Sequence, residues 1–227
     1  MLKIIDLSVR FVNPEEDDSS AQIFRNLSYD FDPGNIYAVQ GSNGSGKTTL
    51  LNTLANIIPE HIKAEKSGHV YWNGLVLNDT PLREMYHHLS YQMADPEHQI
   101  FFPTIESEII YAPENLGLSR EEIGTRLEAS LERFKLSNIR AKDAAKLSVG
   151  QKKIVLFAVV NALDSPIVLL DEPSTGLSGT SLALLIDWVI EMKASGKLII
   201  IADHNPEILD LADFCIDMDQ LHQQGRS

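Results

Sequence analysis

Three short stretches hold residues whose types and spacing could do phosphate chemistry. "GSNGSGKT", residues 41 to 48, fits G-x-x-x-x-G-K-[ST] and lies between a strand-like "NIYAVQ" and a helix expected from about Lys47 to Ile57. Gly41, Gly44 and Gly46 permit turns that aim successive N–H groups inward, and the start of a helix adds positive potential at the same point. Lys47 can then neutralise the β- and γ-phosphates of a nucleotide while the Thr48 hydroxyl reaches Mg²⁺. By composition alone the pattern arises in roughly one chain in a hundred of this length, so the strand-turn-helix setting is what makes it specific.

"IVLLDEP", residues 167 to 173, ends an apolar strand in two adjacent carboxylates. Strand alternation sends Asp171 and Glu172 to different sides, so one can serve Mg²⁺ while the other addresses an attacking water. Asp171 takes the metal, the usual role of the acid ending this strand in P-loop NTPases, and Glu172 takes the water. "IIIADHNPE", residues 199 to 207, delivers His204 to the same sheet edge, where it can hydrogen-bond a γ-phosphate or, alternatively, cap the helix starting near Pro206. A polar cluster, "LSVGQ" at residues 147 to 151, opens a long apolar run, and Ser148 there can cap a helix N-terminus.

The elements that must position these groups can be read around them. "LKIIDLSVRF" and "QIFRNLSYDF" read as antiparallel strands joined by an exposed loop "NPEEDDSS", and "HVYWNGLVLN" as a hairpin turning at Asn73-Gly74. Residues 96 to 146 read as mainly helical, with Ser119 and Glu122 forming a capping box. Helix 150–163, strand "PIVLLD", helix 180–195, strand "KLIIIAD" and helix 206–213 then alternate as in a parallel sheet wrapped by helices.

Composition narrows the function classes. The 227 residues are 44% hydrophobic, enough for a real core, and the formal net charge of −13 opposes nonspecific binding to nucleic acid or anionic lipid. Any bound phosphate must be held by local geometry. The single cysteine, Cys215 in "FCID", excludes an internal disulfide and reads as a small core hydrophobe. His87 and His88 lack ligand spacing and read as surface residues. The N-terminus lacks a signal-peptide run, and the longest apolar run, Ile154 to Val160, is too short for a bilayer span, so a cytoplasmic, soluble chain is expected.

Taken together these residues resemble the ATP-binding cassette (ABC) ATPases. "GSNGSGKTT", which adds Ser42, Asn43, Ser45 and Thr49 to the cradle, is similar to their Walker A loop, "IVLLDEP" to the Walker B strand, and His204 to the switch histidine. Gln92 in "LSYQ" is similar to the Q-loop glutamine, Phe11 to the aromatic that stacks on adenine, and "LSVGQ" to the signature LSGGQ. The resemblance implies an α/β P-loop fold over residues 1–227, with a mainly parallel core sheet. Within it, 1–92 and 151–227 would form the nucleotide-binding core with an antiparallel β subdomain, and about 93–150 an inserted helical subdomain. It implies ATP and Mg²⁺ as cofactors, catalytic roles for Glu172, His204, Gln92 and Lys47, and metal contacts from Thr48, Gln92 and Asp171. It also implies a head-to-tail dimer with a second cassette, the same chain or another, in which Ser148, Gly150 and Gln151 contact the partner's ATP.

A narrower resemblance runs through "YQMADPEHQIFFPTIESEIIYAPENLGLS", residues 91 to 119, which is similar to the ATPases of energy-coupling factor importers of vitamins or metal ions. It implies membrane subunits docking near Gln92 to Phe102, a peripheral place on the inner face of the cell membrane, and no nucleic-acid partner. Phe101 and Phe102 read either as subdomain core or as a groove for that partner. Three departures stand out: Val149 replaces a signature glycine, Ser178 stands where the family has the D-loop Asp, and the chain ends soon after "DMDQ". A soluble cassette of an assembly or repair machine, and a partly degenerate member of a heterodimeric pair, are the alternative readings.

Overall fold

A computed structural model of the chain describes residues 1–11 and 21–224; the "NPEEDDSS" loop lies outside the described residues. In chain order the first half comprises β1 (Leu2–Phe11), β2 (Ala21–Phe31), β3 (Ile36–Gln40), α1 (Lys47–Leu54), α2 (Ile57–Glu60), β4 (Glu65–Trp72), β5 (Leu75–Val76), α3 (Leu82–Met85), β6 (Leu89–Gln92) and α4 (Ile105–Asn115). There follow α5 (Arg120–Arg133), α6 (Val149–Leu163), β7 (Ile167–Asp171), α7 (Thr180–Ala194), β8 (Leu198–Ala202), α8 (Pro206–Leu209), β9 (Phe214–Asp217) and α9 (Met218–Gln224).

Among the described residues the strands form two sheets. One is antiparallel with order β2-β1-β4-β5; the other is parallel with order β6-β7-β8-β3-β9. The two-residue period of β7 divides its apolar side chains between two cores. Ile167 and Leu169 face a cluster with Leu50, Leu51 and Leu54 of α1 and the inner face of the antiparallel sheet. Val168 and Leu170 face the opposite cluster, filled by Val155, Phe157 and Ala158 of α6 and Leu185, Trp188 and Val189 of α7. The parallel sheet is therefore apolar on both faces, which is why β7 and β8 read as continuous hydrophobic runs. Parallel order also sends β3, β7 and β8 to end on the same edge.

Several expected boundaries move. The hairpin turns at Asn73 and Gly74, with φ of 48° and 87°, but β5 keeps only two residues before a 3-10 turn at Leu77–Asp79. Helix α1 stops at Leu54, because Asn56 adopts φ 60° and breaks the run that was expected to reach Ile57. Helix α8 is one turn, Pro206–Leu209, instead of 206–213, since the chain must reach edge strand β9. That edge position corrects the reading of Cys215: it is exposed, while its neighbour Ile216 fills the core. His87 is exposed and His88 half-buried. No helix among the described residues is long and apolar enough to cross a membrane.

Candidate functional site

The glycine loop leaves β3 and enters α1 with Gly46 as N-cap at φ 92°, a conformation side chains rarely adopt. A Cβ on Gly46 would also come within 2.5 Å of Ile23 Cγ2, so the loop lies tight against β2. Lys47 is buried, and its ammonium donates to the carbonyls of Gly41 at 2.9 Å and Ser42 at 3.0 Å, curling the loop around it. No acid occupies the first turn of α1, which leaves the positive end of the helix unneutralised. Ser42, Asn43, Gly44 and Thr48 are exposed, Gly41, Gly46 and Thr49 half-buried, and Ser45 buried. From α9, Asp219 accepts from the Ser42 N–H and hydroxyl, both at 2.8 Å, bracing the loop from the far side of the chain.

At the end of β7, Asp171 is 1% exposed and its Oδ1 makes no hydrogen bond among the described residues. Burial pushes its carboxyl above the usual range, against the adjacent Thr48 hydroxyl, which pulls it down. Tyr91 donates to Asp171 Oδ2 at 3.3 Å, and burial together with that carboxylate pushes the phenol well up. Gln92 is fully buried; its amide donates to the Asp171 and Met93 carbonyls, and its Oε1 has no partner among the described residues. Two unpartnered buried oxygens beside a threonine hydroxyl form an oxygen donor set that fits a hard divalent cation such as Mg²⁺.

Glu172 turns the other way. Its backbone adopts φ 45°, its N–H donates to Ala202 at 2.7 Å, and its carboxylate lies 3.6 Å from His204 Nε2 and accepts from Thr175 Oγ1 at 3.2 Å. His204 is exposed, as a group meeting a ligand must be. Its place comes from Asp203, buried at 2%, which accepts from the His204 and Asn205 N–H groups and from Ser174 N–H and hydroxyl. Asn205, and not His204, caps α8, accepting from Glu207 N–H at 2.9 Å. Sequence reasoning missed Asp203, Tyr91, Ser174 and Lys153. An acid ending an apolar strand and a lysine inside an apolar helix were the signals that could have found two of them.

Lys47, Thr48, Gln92, Asp171, Glu172 and His204 thus gather where β3, β6, β7 and β8 end. The remaining candidates lie elsewhere. Phe11, at the end of β1, is half-buried against the first core. Ser148 and Gln151 close a capping box at the exposed start of α6, with Gln151 N–H donating to Ser148 Oγ at 3.3 Å and Ser148 N–H to Gln151 Oε1 at 3.0 Å. Val149 sits between them in the first helical turn, half exposed, where a β-branched residue needs no special backbone. Gly150 packs on the turn after Glu172: a Cβ there would stand 2.8 Å from the Gly176 carbonyl oxygen. Phe101 is 75% exposed, which removes it from the core, and Phe102 packs on Tyr111 at 4.5 Å between ring centroids.

Residues 24–175 match the ABC transporter family. The chain is 32% identical over 194 residues to the energy-coupling factor transporter ATP-binding protein EcfA1 of Thermotoga maritima, covering 86% of this chain and 71% of that one. It spans less of some longer relatives, 44% of one from Treponema denticola that is 29% identical over 220 residues. In fold it is similar to a dimeric post-hydrolysis ATP-binding cassette bound to ADP and Pi (TM-score 0.83, 20% identity, 96% of this chain and 94% of that one). It is also similar to cbiO1 from Clostridium perfringens, part of the ABC transporter complex cbiONQ (TM-score 0.76, 24% identity, 95% and 83% covered). The match over two thirds of the chain and the kinship with EcfA1 show the family: the chain belongs to the ABC transporter ATP-binding proteins and is an ATPase of that family.

Proposed function

We propose that the chain powers a membrane importer of the energy-coupling factor type, carrying a vitamin or metal ion, by ATP-driven head-to-tail dimerisation with a second cassette. The observation that carries this reading is the 3.6 Å approach of His204 to Glu172 at the strand edge that also holds Lys47 and Asp171. The likeness to EcfA1 and cbiO1 supports the transporter class.

In this reading the loop amides from Gly41 to Thr49 hold the phosphates, Phe11 stacks on adenine, and Lys47 shifts its ammonium from the Gly41 and Ser42 carbonyls to the β- and γ-phosphates. Thr48, Gln92 and Asp171 would hold Mg²⁺, which spreads the charge of the phosphoryl group. Glu172 orients the water and accepts its proton as the oxygen attacks phosphorus in line with the departing ADP, and His204 hydrogen-bonds the γ-phosphate. The partner's Ser148, Gly150 and Gln151 complete the cradle from the opposite side, so hydrolysis waits for dimer closure. Residues 93–150 form the helical unit that meets the membrane subunits, with exposed Phe101 and the Phe102–Tyr111 pair as apolar contact. The chain would lie on the inner face of the membrane.

The Glu172→Gln variant tests the reading. ATP binding should persist while steady-state turnover, measured with the membrane subunits present, falls by about 100-fold or more. Undiminished turnover would remove Glu172 from its role. Copurification from detergent extracts with soluble proteins alone would favour an assembly machine over transport.

A further inference from the structure

Helix α6 carries a buried charge that the mechanism above leaves without a task. Lys153 is 1% exposed, and its ammonium donates to the backbone carbonyl of Glu172. Its neighbour Lys152, also buried, is neutralised by a 2.5 Å ion pair with Glu97. Among the described residues Lys153 has no such close pair: burial lowers its pKa, and Asp203, Glu172, Asp171 and Asp95 act on it from around. A desolvated ammonium is costly in an apolar helix, and an aliphatic residue would fill the volume without that cost.

The residue it holds is itself unusual. Glu172 sits at φ 45°, where a non-glycine residue stays only if its surroundings over-determine it. On its N–H side the restraint is the 2.7 Å hydrogen bond to Ala202; on its carbonyl side it is Lys153. Lys153 lies five residues after Ser148 on the same rigid helix, about 7.5 Å along its axis.

We propose that Lys153 is the positioning residue for Glu172, so that the helix offering Ser148 to one ATP also holds the water-directing carboxylate of the other. This rests on the roles given above to Glu172 and Ser148. A shift of α6 on engaging the partner's nucleotide would move the Glu172 backbone through Lys153, a physical route for coupling the two ATP sites.

The test compares Lys153→Gln, Lys153→Met and Lys153→Arg in the full chain with its ATPase partner. It follows ATP affinity without hydrolysis, the ATP-bound dimer by size-exclusion chromatography, and kcat and KM. Met, which has no donor, and Gln, whose amide is neutral and shorter in reach, should keep ATP affinity and dimerisation while kcat falls about 10- to 100-fold, as for a displaced catalytic group, and Arg, which keeps a charged donor on a long side chain, should recover most of it. Unchanged kcat in Gln and Met overturns the proposal. So does loss of ATP binding or of folding in all three variants, which makes Lys153 a core support. Glu172→Gln run in parallel separates the two failures: if that variant still hydrolyses ATP, the role of Glu172 has failed; if it is inactive while Lys153→Gln is fully active, only the role of Lys153 has.

Discussion

Asp171 illustrates how a single residue trades stability for a ligand. Its carboxylate is 1% exposed, one oxygen is unpartnered among the described residues, and burial raises its pKa, so the nucleotide-free protein carries a charge that its surroundings do not fully compensate. Asp171→Asn keeps the shape and an acceptor for Tyr91 but removes the charge. With about 1–3 kcal/mol of desolvation relieved, melting of the nucleotide-free variant should rise by a few degrees while Mg²⁺-dependent hydrolysis is lost. Calorimetry without nucleotide, paired with an ATPase assay, checks both halves.

At the scale of elements, the start of α6 depends on a close approach to the turn that follows Glu172. Gly150→Ala gains about 1 kcal/mol of helix propensity but places a methyl 2.8 Å from the backbone carbonyl oxygen of Gly176, which cannot swing aside as a side chain could. Overpacking costs about 1–3 kcal/mol, so the net effect is destabilising, and thermal melting should fall by a few degrees with reduced turnover. A second element rests on Glu108 of α4, buried, whose Oε2 accepts from Phe101 and Phe102 N–H at 3.0 and 2.8 Å. It shapes the loop that presents Phe101. Burial raises its carboxyl pKa more than these hydrogen bonds lower it, so the folded protein binds the proton more tightly than the unfolded chain. Stability from this group therefore declines as pH rises from the ordinary glutamate value through the raised one. Glu108→Gln should flatten that part of the stability–pH profile, measured by denaturant unfolding.

For the whole molecule, both cores press on one parallel sheet, and its carboxyl edge collects groups far apart in sequence, from Lys47 to His204. Ser148, which the proposed function gives to a partner's ATP, lies on an exposed helix start with its capping groups paired to each other. If dimer closure precedes hydrolysis, Glu172→Gln should accumulate an ATP-bound dimer that wild type does not, visible by size-exclusion chromatography with Mg²⁺ and ATP.

The sequence by itself determined the phosphate loop, the carboxylate pair and the alternation of strands and helices, because each is written in local spacing: glycines where φ turns positive, apolar runs where both sheet faces are covered. It also placed the capping box at Ser119 and the turn at Asn73-Gly74, again by short-range rules. Only the tertiary structure decided the strand order, the exposure of Cys215 on edge strand β9, and the partners of Lys153, Asp203 and Asp219. Those contacts join residues 19 to 177 positions apart, as well as immediate neighbours whose geometry depends on a distant sheet. Local spacing can specify which groups are available; which of them meet is set by the register of the sheet and by the contacts that α6 makes to Glu172 and α9 to Ser42.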